Sequence, residues 1–212
     1  RPLEEVAREL GLPAADLIKL ASNENPLGPS PKAIAAMRDK AAQVHLYPDG
    51  NVFYLRQRLA EKLGVTPANL IFGNGSNEII EFVSRAVLGP GTNIVVSQYC
   101  FAIYPIAAHL AGADCISVPA KEFGHDLAAM AAAITPETRI VFVANPNNPT
   151  GTRASNDAVK FLVNSVPDEV LLVMDEAYFE FIDDAPDLLP LISKKQNLLV
   201  MRTFSKIHGL AG

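Results

Sequence analysis

Strand-length apolar runs recur through this chain with helical segments between them, and few folds accommodate that rhythm. The runs lie at 70–72, 93–97, 115–118, 140–144, 170–174 and 198–201. Between them, helical periodicity or helix signals occupy 76–88, 99–111, 126–133, 155–165 and 187–193. Several runs, such as Ile140-Val-Phe-Val and Leu171-Leu-Val-Met, contain no polar residue, as expected of strands covered on both faces. The pattern predicts an α/β fold whose doubly wound, mostly parallel sheet is flanked by helices. At 212 residues and 49% hydrophobic, the chain can bury one large core.

Ahead of the alternation, Leu3, Val6, Ala7 and Leu10 recur at helical spacing, with Glu4 and Glu5 near the start and Gly11 as a stop. Residues 18–21 read as a short strand. The ten residues Ser22-Asn-Glu-Asn-Pro-Leu-Gly-Pro-Ser-Pro31 hold three prolines and a glycine, which precludes regular pairing and marks a boundary. Ser30 as cap and Pro31 at the first helical position open a helix to about Gln43, and a second runs from Asn51 to Gly64 after Tyr47-Pro-Asp-Gly50.

Composition removes several classes of function. The formal net charge is −5 and the basic residues are scattered, so there is no footprint for nucleic acid. Cys100 and Cys115 have neither metal-ligand spacing nor an accompanying histidine cluster, so no metal is expected, and free thiols suit a reducing compartment. No apolar run approaches membrane-spanning length, and Arg1-Pro-Leu-Glu-Glu does not resemble a signal peptide. The expected location is cytoplasmic, with no membrane partner.

Polar motifs follow the apolar runs. Phe72-Gly-Asn-Gly-Ser76-Asn77-Glu78 joins a strand to a helix through glycines, a geometry that offers unpaired helix amides to a phosphate; a tight turn capped by Ser76 or Asn77 is the plain alternative. It lacks the Lys-Ser/Thr of a Walker A loop, and Glu78 replaces the third glycine of the dinucleotide fingerprint. Asn145-Pro-Asn-Asn148-Pro-Thr-Gly151 sets three carboxamides between prolines, suited to the edge of a planar polar ligand. Leu171-Leu-Val-Met-Asp175-Glu-Ala-Tyr178 ends a buried strand in an acid that needs a cationic partner, for which a protonated pyridine nitrogen would serve; an acid that caps the next turn is the plain alternative. Past the last run, Thr203-Phe-Ser205-Lys206 delivers a lysine to the crevice beyond the strand ends; taken alone, the stretch reads as readily as a loop with a solvated lysine. An imine-forming lysine, an acid for a ring nitrogen, a carboxamide and a tyrosine for a ring oxygen, and a phosphate-binding helix start are together the parts that pyridoxal phosphate requires.

These motifs, in this order, resemble the fold-type I aminotransferases, and within them the histidinol-phosphate aminotransferases. Ser22-Asn-Glu-Asn-Pro, Tyr47-Pro-Asp-Gly50, Ser97-Gln-Tyr-Cys-Phe-Ala-Ile-Tyr104 and Thr203-Phe-Ser-Lys-Ile-His-Gly-Leu-Ala-Gly212 extend the likeness along the chain. The resemblance implies that Lys206 is the Schiff-base lysine and proton shuttle, that Asp175 pairs with the pyridine nitrogen, and that Tyr178 and Asn148 hydrogen-bond the ring oxygen. It further implies that Phe101 stacks on the ring and that the Ser76 and Asn77 amides, with the Thr203 and Ser205 hydroxyls, hold the phosphate. Tyr47 would reach the phosphate of a neighbouring subunit in a homodimer, and Asn25 would lie near the substrate entrance.

The implied reaction passes an amino group between histidinol phosphate and 2-oxoglutarate; aromatic amino acids, or decarboxylation of threonine phosphate, are the alternatives on the same scaffold. The implied domains are 1–29, an N-terminal arm with part of a small domain, and 30–212, the cofactor-binding large domain. The family's C-terminal small domain and two further ligand-binding arginines fall beyond Gly212. A chain that stopped there is expected to bind cofactor weakly and transaminate little. The alternative of another class is a non-catalytic fragment that keeps the fold and binds a phosphate ligand or a partner chain.

Overall fold

The computed structural model describes residues 2–211; Arg1, the first residue of Arg1-Pro-Leu-Glu-Glu, and Gly212, the last of the stretch that begins at Thr203, lie outside the described residues. Helix α1 (Leu3–Leu10) ends at Gly11, whose φ of 66° suits a residue without a Cβ. Helix α2 (Pro31–Lys40) starts where Ser30 Oγ accepts the Ala33 N–H at 3.2 Å, and a 3₁₀ turn at Ala41–Gln43 carries it to the expected end. Helix α3 (Phe53–Leu63) stops at Gly64. Then follow α4 (Gly75–Val87), β1 (Asn93–Ser97), α5 (Ile103–Leu110), β2 (Asp114–Val118), α6 (Leu127–Ala132), β3 (Thr138–Ala144), α7 (Asn156–Ser165), β4 (Leu171–Asp175) and β5 (Leu198–Met201).

The five strands form one parallel sheet in the order β2-β1-β3-β4-β5. The chain leaves β1 toward one edge and returns through β3 toward the other, so the sheet is doubly wound with its switch point between β1 and β3. Side chains alternate between two layers. Val95, Val141, Val143, Leu172 and Met174 face α6 and α7 through Leu127, Met130, Val159 and Leu162. Ile94, Val96, Ile140, Phe142 and Val173 face α4 and α5 through Ile80, Val83, Tyr104 and Ala108. Both faces of β1, β3 and β4 are therefore covered, which is why residues 94–96, 140–144 and 171–174 include no polar residue. Among the described residues no helix is long and apolar enough to cross a membrane.

Three expected elements are absent, and the α5 helix starts at Ile103 rather than near 99. Residues 70–72 are not a strand, because the Leu70 carbonyl is taken by Arg56, whose guanidinium also lies over the Phe72 ring at 5.0 Å. Residues 18–21 have no strand partner among the described residues, and Ile18 and Leu20 are 86% and 87% exposed. The helix expected over 187–193 is a single 3₁₀ turn, Leu189–Leu191, with Pro190 at its centre.

The loop after β5 is anchored against the N-terminal segment. Asn25 Nδ2 donates to the Ile207 carbonyl at 2.9 Å, and Gly209, at φ +65°, packs so closely that a Cβ would lie 2.7 Å from the backbone of Gly28. Gly209→Ala must push these two segments apart and strain its own backbone. It should cost roughly 1–3 kcal/mol in denaturant unfolding; an unchanged midpoint would show that the contact is slack.

Candidate active site

At the carboxyl edge of the sheet, the segments that follow β1, β3, β4 and β5 and the first turn of α4 enclose a cavity of about 570 Å³. Its position follows from topology. The register sets Ala144 beside Asp175, and Asp175 beside Met201, so the segments leaving these three strands start side by side.

The α4 end is shaped by two glycines. A Cβ on Gly73 would lie 3.0 Å from both the Glu78 carboxylate and Ile79, and Gly75 opens the helix at φ +71°. Glu78 reaches back to accept the Asn74 N–H at 2.7 Å. The amides of Gly75, Ser76 and Asn77 belong to the first turn and have no acceptor within the helix. All three residues line the cavity, so the positive end of the helix faces it.

Asp175 is 4% exposed. Its Oδ2 accepts the Tyr104 hydroxyl at 2.7 Å and its Oδ1 accepts the Ala177 N–H at 3.1 Å. Burial pushes the carboxyl up from its ordinary range, against the pull of these two donors and of the Lys206 charge. Tyr104 is wholly buried and stacks on Phe142 with ring centroids 4.6 Å apart. Burial foremost, and then the neighbouring Asp175, hold its hydroxyl well above the usual tyrosine range, so it stays a proton donor.

Tyr178 and Lys206 also line the cavity. Asn23 Nδ2 donates to Tyr178 Oη at 2.9 Å and Asn148 Nδ2 does so at 3.3 Å. An oxygen that accepts twice keeps its own proton to donate elsewhere. Lys206 Nζ lies 5.6 Å from the centre of the Tyr178 ring and donates to the Ser22 carbonyl at 3.4 Å. Thr203 Oγ1 donates to Ser205 Oγ at 3.0 Å and accepts the Ser205 N–H at 3.1 Å, which turns the chain toward Lys206.

Of the residues singled out in the sequence, Ser76, Asn77, Phe101, Asn148, Asp175, Tyr178, Thr203, Ser205 and Lys206 all line this one cavity. Asn25 does not line it but tethers its rim. Tyr47 stands fully exposed, outside it. Only one of the three asparagines in the proline loop faces the cavity: Asn145 Oδ1 accepts the Ala154 N–H, and Asn147 Nδ2 donates to Tyr99 and Thr150. Sequence reasoning missed Asn23, Ser22 and Tyr104. A signal existed for Tyr104, since a tyrosine within the apolar stretch Ile103-Tyr-Pro-Ile-Ala-Ala must find a hydroxyl partner once buried.

Residues 15–212 match the family Aminotransferase class I and II. The chain belongs to the class I and II aminotransferases. It is 54% identical over 213 residues to histidinol-phosphate aminotransferase 2 of Pseudomonas aeruginosa, covering 100% of this chain and 58% of that protein. With histidinol-phosphate aminotransferase 1 of Thiobacillus denitrificans it shares 51% over 214 residues, again covering 100% of this chain and 56% of that protein. The crystal structure of histidinol-phosphate aminotransferase from Sinorhizobium meliloti, in complex with pyridoxal-5'-phosphate, superposes with a TM-score of 0.88 at 32% identity, covering 100% of this chain and 58% of that one. The chain thus spans less than two thirds of the length of these aminotransferases.

Beside the cavity, Glu176 is 3% exposed and accepts from Arg202 Nε at 2.9 Å, while the Arg202 guanidinium lies 3.8 Å from the centre of the Phe179 ring. Burial raises the Glu176 carboxyl to about 7 despite Arg202. A carboxyl raised on folding stabilises fully below its unfolded value and loses that contribution as pH climbs through the folded one. Stability should therefore fall between about pH 4.5 and about pH 7, by up to about 3 kcal/mol for this group. Glu176→Gln, which keeps an acceptor for Arg202 but does not titrate, should flatten that slope in denaturant unfolding. An identical slope in the variant would mean that Glu176 is ionised throughout.

Proposed function

We propose that the cleft binds pyridoxal 5'-phosphate and that the intact protein uses it to pass an amino group between histidinol phosphate and 2-oxoglutarate in histidine biosynthesis. The observation that carries this reading is the convergence of four chemistries on one cavity: the Lys206 amine, the buried Asp175 carboxylate, the Asn148–Tyr178 pair and the start of α4. The identity of the amino donor rests on the named relatives, which are histidinol-phosphate aminotransferases over the whole of this chain.

The donor set fits that cofactor. Around Gly75 there is room for an anion, since a Cβ built there would meet only the Ser205 hydroxyl, at 3.9 Å. The amides of Gly75, Ser76 and Asn77 would hold the phosphate, with Thr203 and Ser205 donating beside them. Asp175 would accept from the ring nitrogen, and a charged partner there offsets the cost of burying the carboxylate. Tyr178 would donate its remaining proton to the ring oxygen, with Asn148 alongside, and Phe101 would cover one ring face. When bound, pyridoxal phosphate supplies an electron-withdrawing ring that stabilises negative charge at the substrate α-carbon. Lys206 Nζ would hold the cofactor and then carry the proton that leaves that carbon.

Residues 30–212 would form the cofactor-binding domain and 1–29 an arm with part of a smaller one. A homodimer fits the exposed Tyr47, which would reach the phosphate of the neighbouring subunit. The free cysteines suit a cytoplasmic setting.

Borohydride treatment of the intact protein with pyridoxal phosphate should fix the cofactor to the peptide that contains Lys206, read by mass spectrometry, and Lys206→Ala should abolish both the label and turnover. Asp175→Asn should keep the label but lower kcat by about a hundredfold or more. Labelling that survives Lys206→Ala, or a preference for aromatic amino acids or threonine phosphate over histidinol phosphate in competition, would overturn the corresponding part of the reading.

A further inference from the structure

Asp175 is buried, and two donors hold its oxygens. One is the backbone N–H of Ala177, within its own turn. The other, the Tyr104 hydroxyl, comes from α5, across the layer interface and 71 positions away in the chain. The ring that carries this hydroxyl is locked on both sides. It stacks on Phe142 of β3 at 4.6 Å with an interplanar angle of 4°, and it meets Phe101 edge-on at 5.7 Å and 83°. Phe101, Tyr104 and Asp175 all line the cleft.

We propose that Tyr104 is a positioning residue that holds Asp175 ionised, with one carboxylate direction left for the cleft, and that fixes the tilt of Phe101 through the same ring. The proposal rests on the reading of the cleft as a pyridoxal phosphate site, where Asp175 would meet the ring nitrogen and Phe101 the ring face. A hydrogen bond donated to a carboxylate favours its charged form, and this donor has a single acceptor, Asp175 Oδ2. A side chain packed between two aromatic rings has one rotamer available, so the hydroxyl cannot swing away when the carboxylate gains another partner. The other titratable groups near the pair are Lys206 beyond β5, Cys100 ahead of α5 and Tyr178 after β4. Glu176 is bonded to Arg202, and Glu78 of α4 to Asn74.

The test compares the intact protein with Tyr104→Phe, which removes the hydroxyl and keeps the ring. Carbon-13 NMR of labelled aspartate, assigned with Asp175→Asn, should show Asp175 titrating about one pH unit or more higher in Tyr104→Phe than in the parent, both without cofactor. With cofactor, the visible circular dichroism band should change in amplitude, and kcat should fall while KM stays within about twofold. An unchanged Asp175 midpoint, or an unchanged dichroism band and kcat, overturns the proposal. If Tyr104→Phe does not fold, the parent still decides: the Tyr104 ζ-carbon shift should move at the same midpoint as the Asp175 carboxyl, and a Tyr104 signal blind to that titration overturns the hydrogen-bond role. Borohydride labelling of Lys206 in the parent is scored separately. Its absence would fail the cofactor reading and the proposal that rests on it, whereas labelling without the Asp175 shift fails Tyr104 alone.

Discussion

Parallel strands deliver all their carboxyl ends to one edge of a sheet, and in this chain the register of β3, β4 and β5 makes that edge a site. With Ala144, Asp175 and Met201 side by side, the asparagine loop, the acid and the lysine loop leave the sheet as immediate neighbours. The switch point between β1 and β3 adds Phe101 and Tyr104 from the other half of the winding. The apolar layers on both faces serve this geometry as much as they serve stability. A one-residue slip in β4 would turn Asp175 from the α5 side, where Tyr104 waits, to the side of α6 and α7, away from that hydroxyl.

A carboxylate in that position is expensive, and its surroundings show how the cost is met. Burial alone favours the neutral acid, while a phenol, a backbone amide and a lysine charge favour the anion. The balance leaves Asp175 raised above its ordinary range in the protein by itself. Such a group gains most from a further positive partner in the cleft, and a basic ring nitrogen would supply one. The neighbouring Glu176 meets the same problem with Arg202, and the pair joins the turns after β4 and β5.

The strands were legible from the apolar runs: β1 to β5 all lie where the runs do, although only β1, β3 and β4 are buried along most of their length. Short runs deceived. Residues 70–72 have strand composition, but an arginine from α3 claims the Leu70 carbonyl, a tertiary event with no local signature. The chemistry carried by motifs at strand ends was legible too, since topology alone converges them. What sequence could not supply were partners brought from far along the chain. Asn23 reaches Tyr178 across 155 positions, and Ser22 offers Lys206 a backbone carbonyl, which no side-chain motif can encode. The roles of the asparagine loop were likewise merged in sequence, where Asn145 and Asn147, which build the turn, look no different from Asn148, which faces the cleft.

A crystal structure of the intact protein grown with pyridoxal 5'-phosphate tests the central claim most directly. Density should run unbroken from Lys206 Nζ to the cofactor, with the ring nitrogen within hydrogen-bond reach of Asp175 and the phosphate on the amides of Gly75, Ser76 and Asn77. A phosphate bound away from the start of α4, or a ring whose nitrogen points away from Asp175, would contradict it.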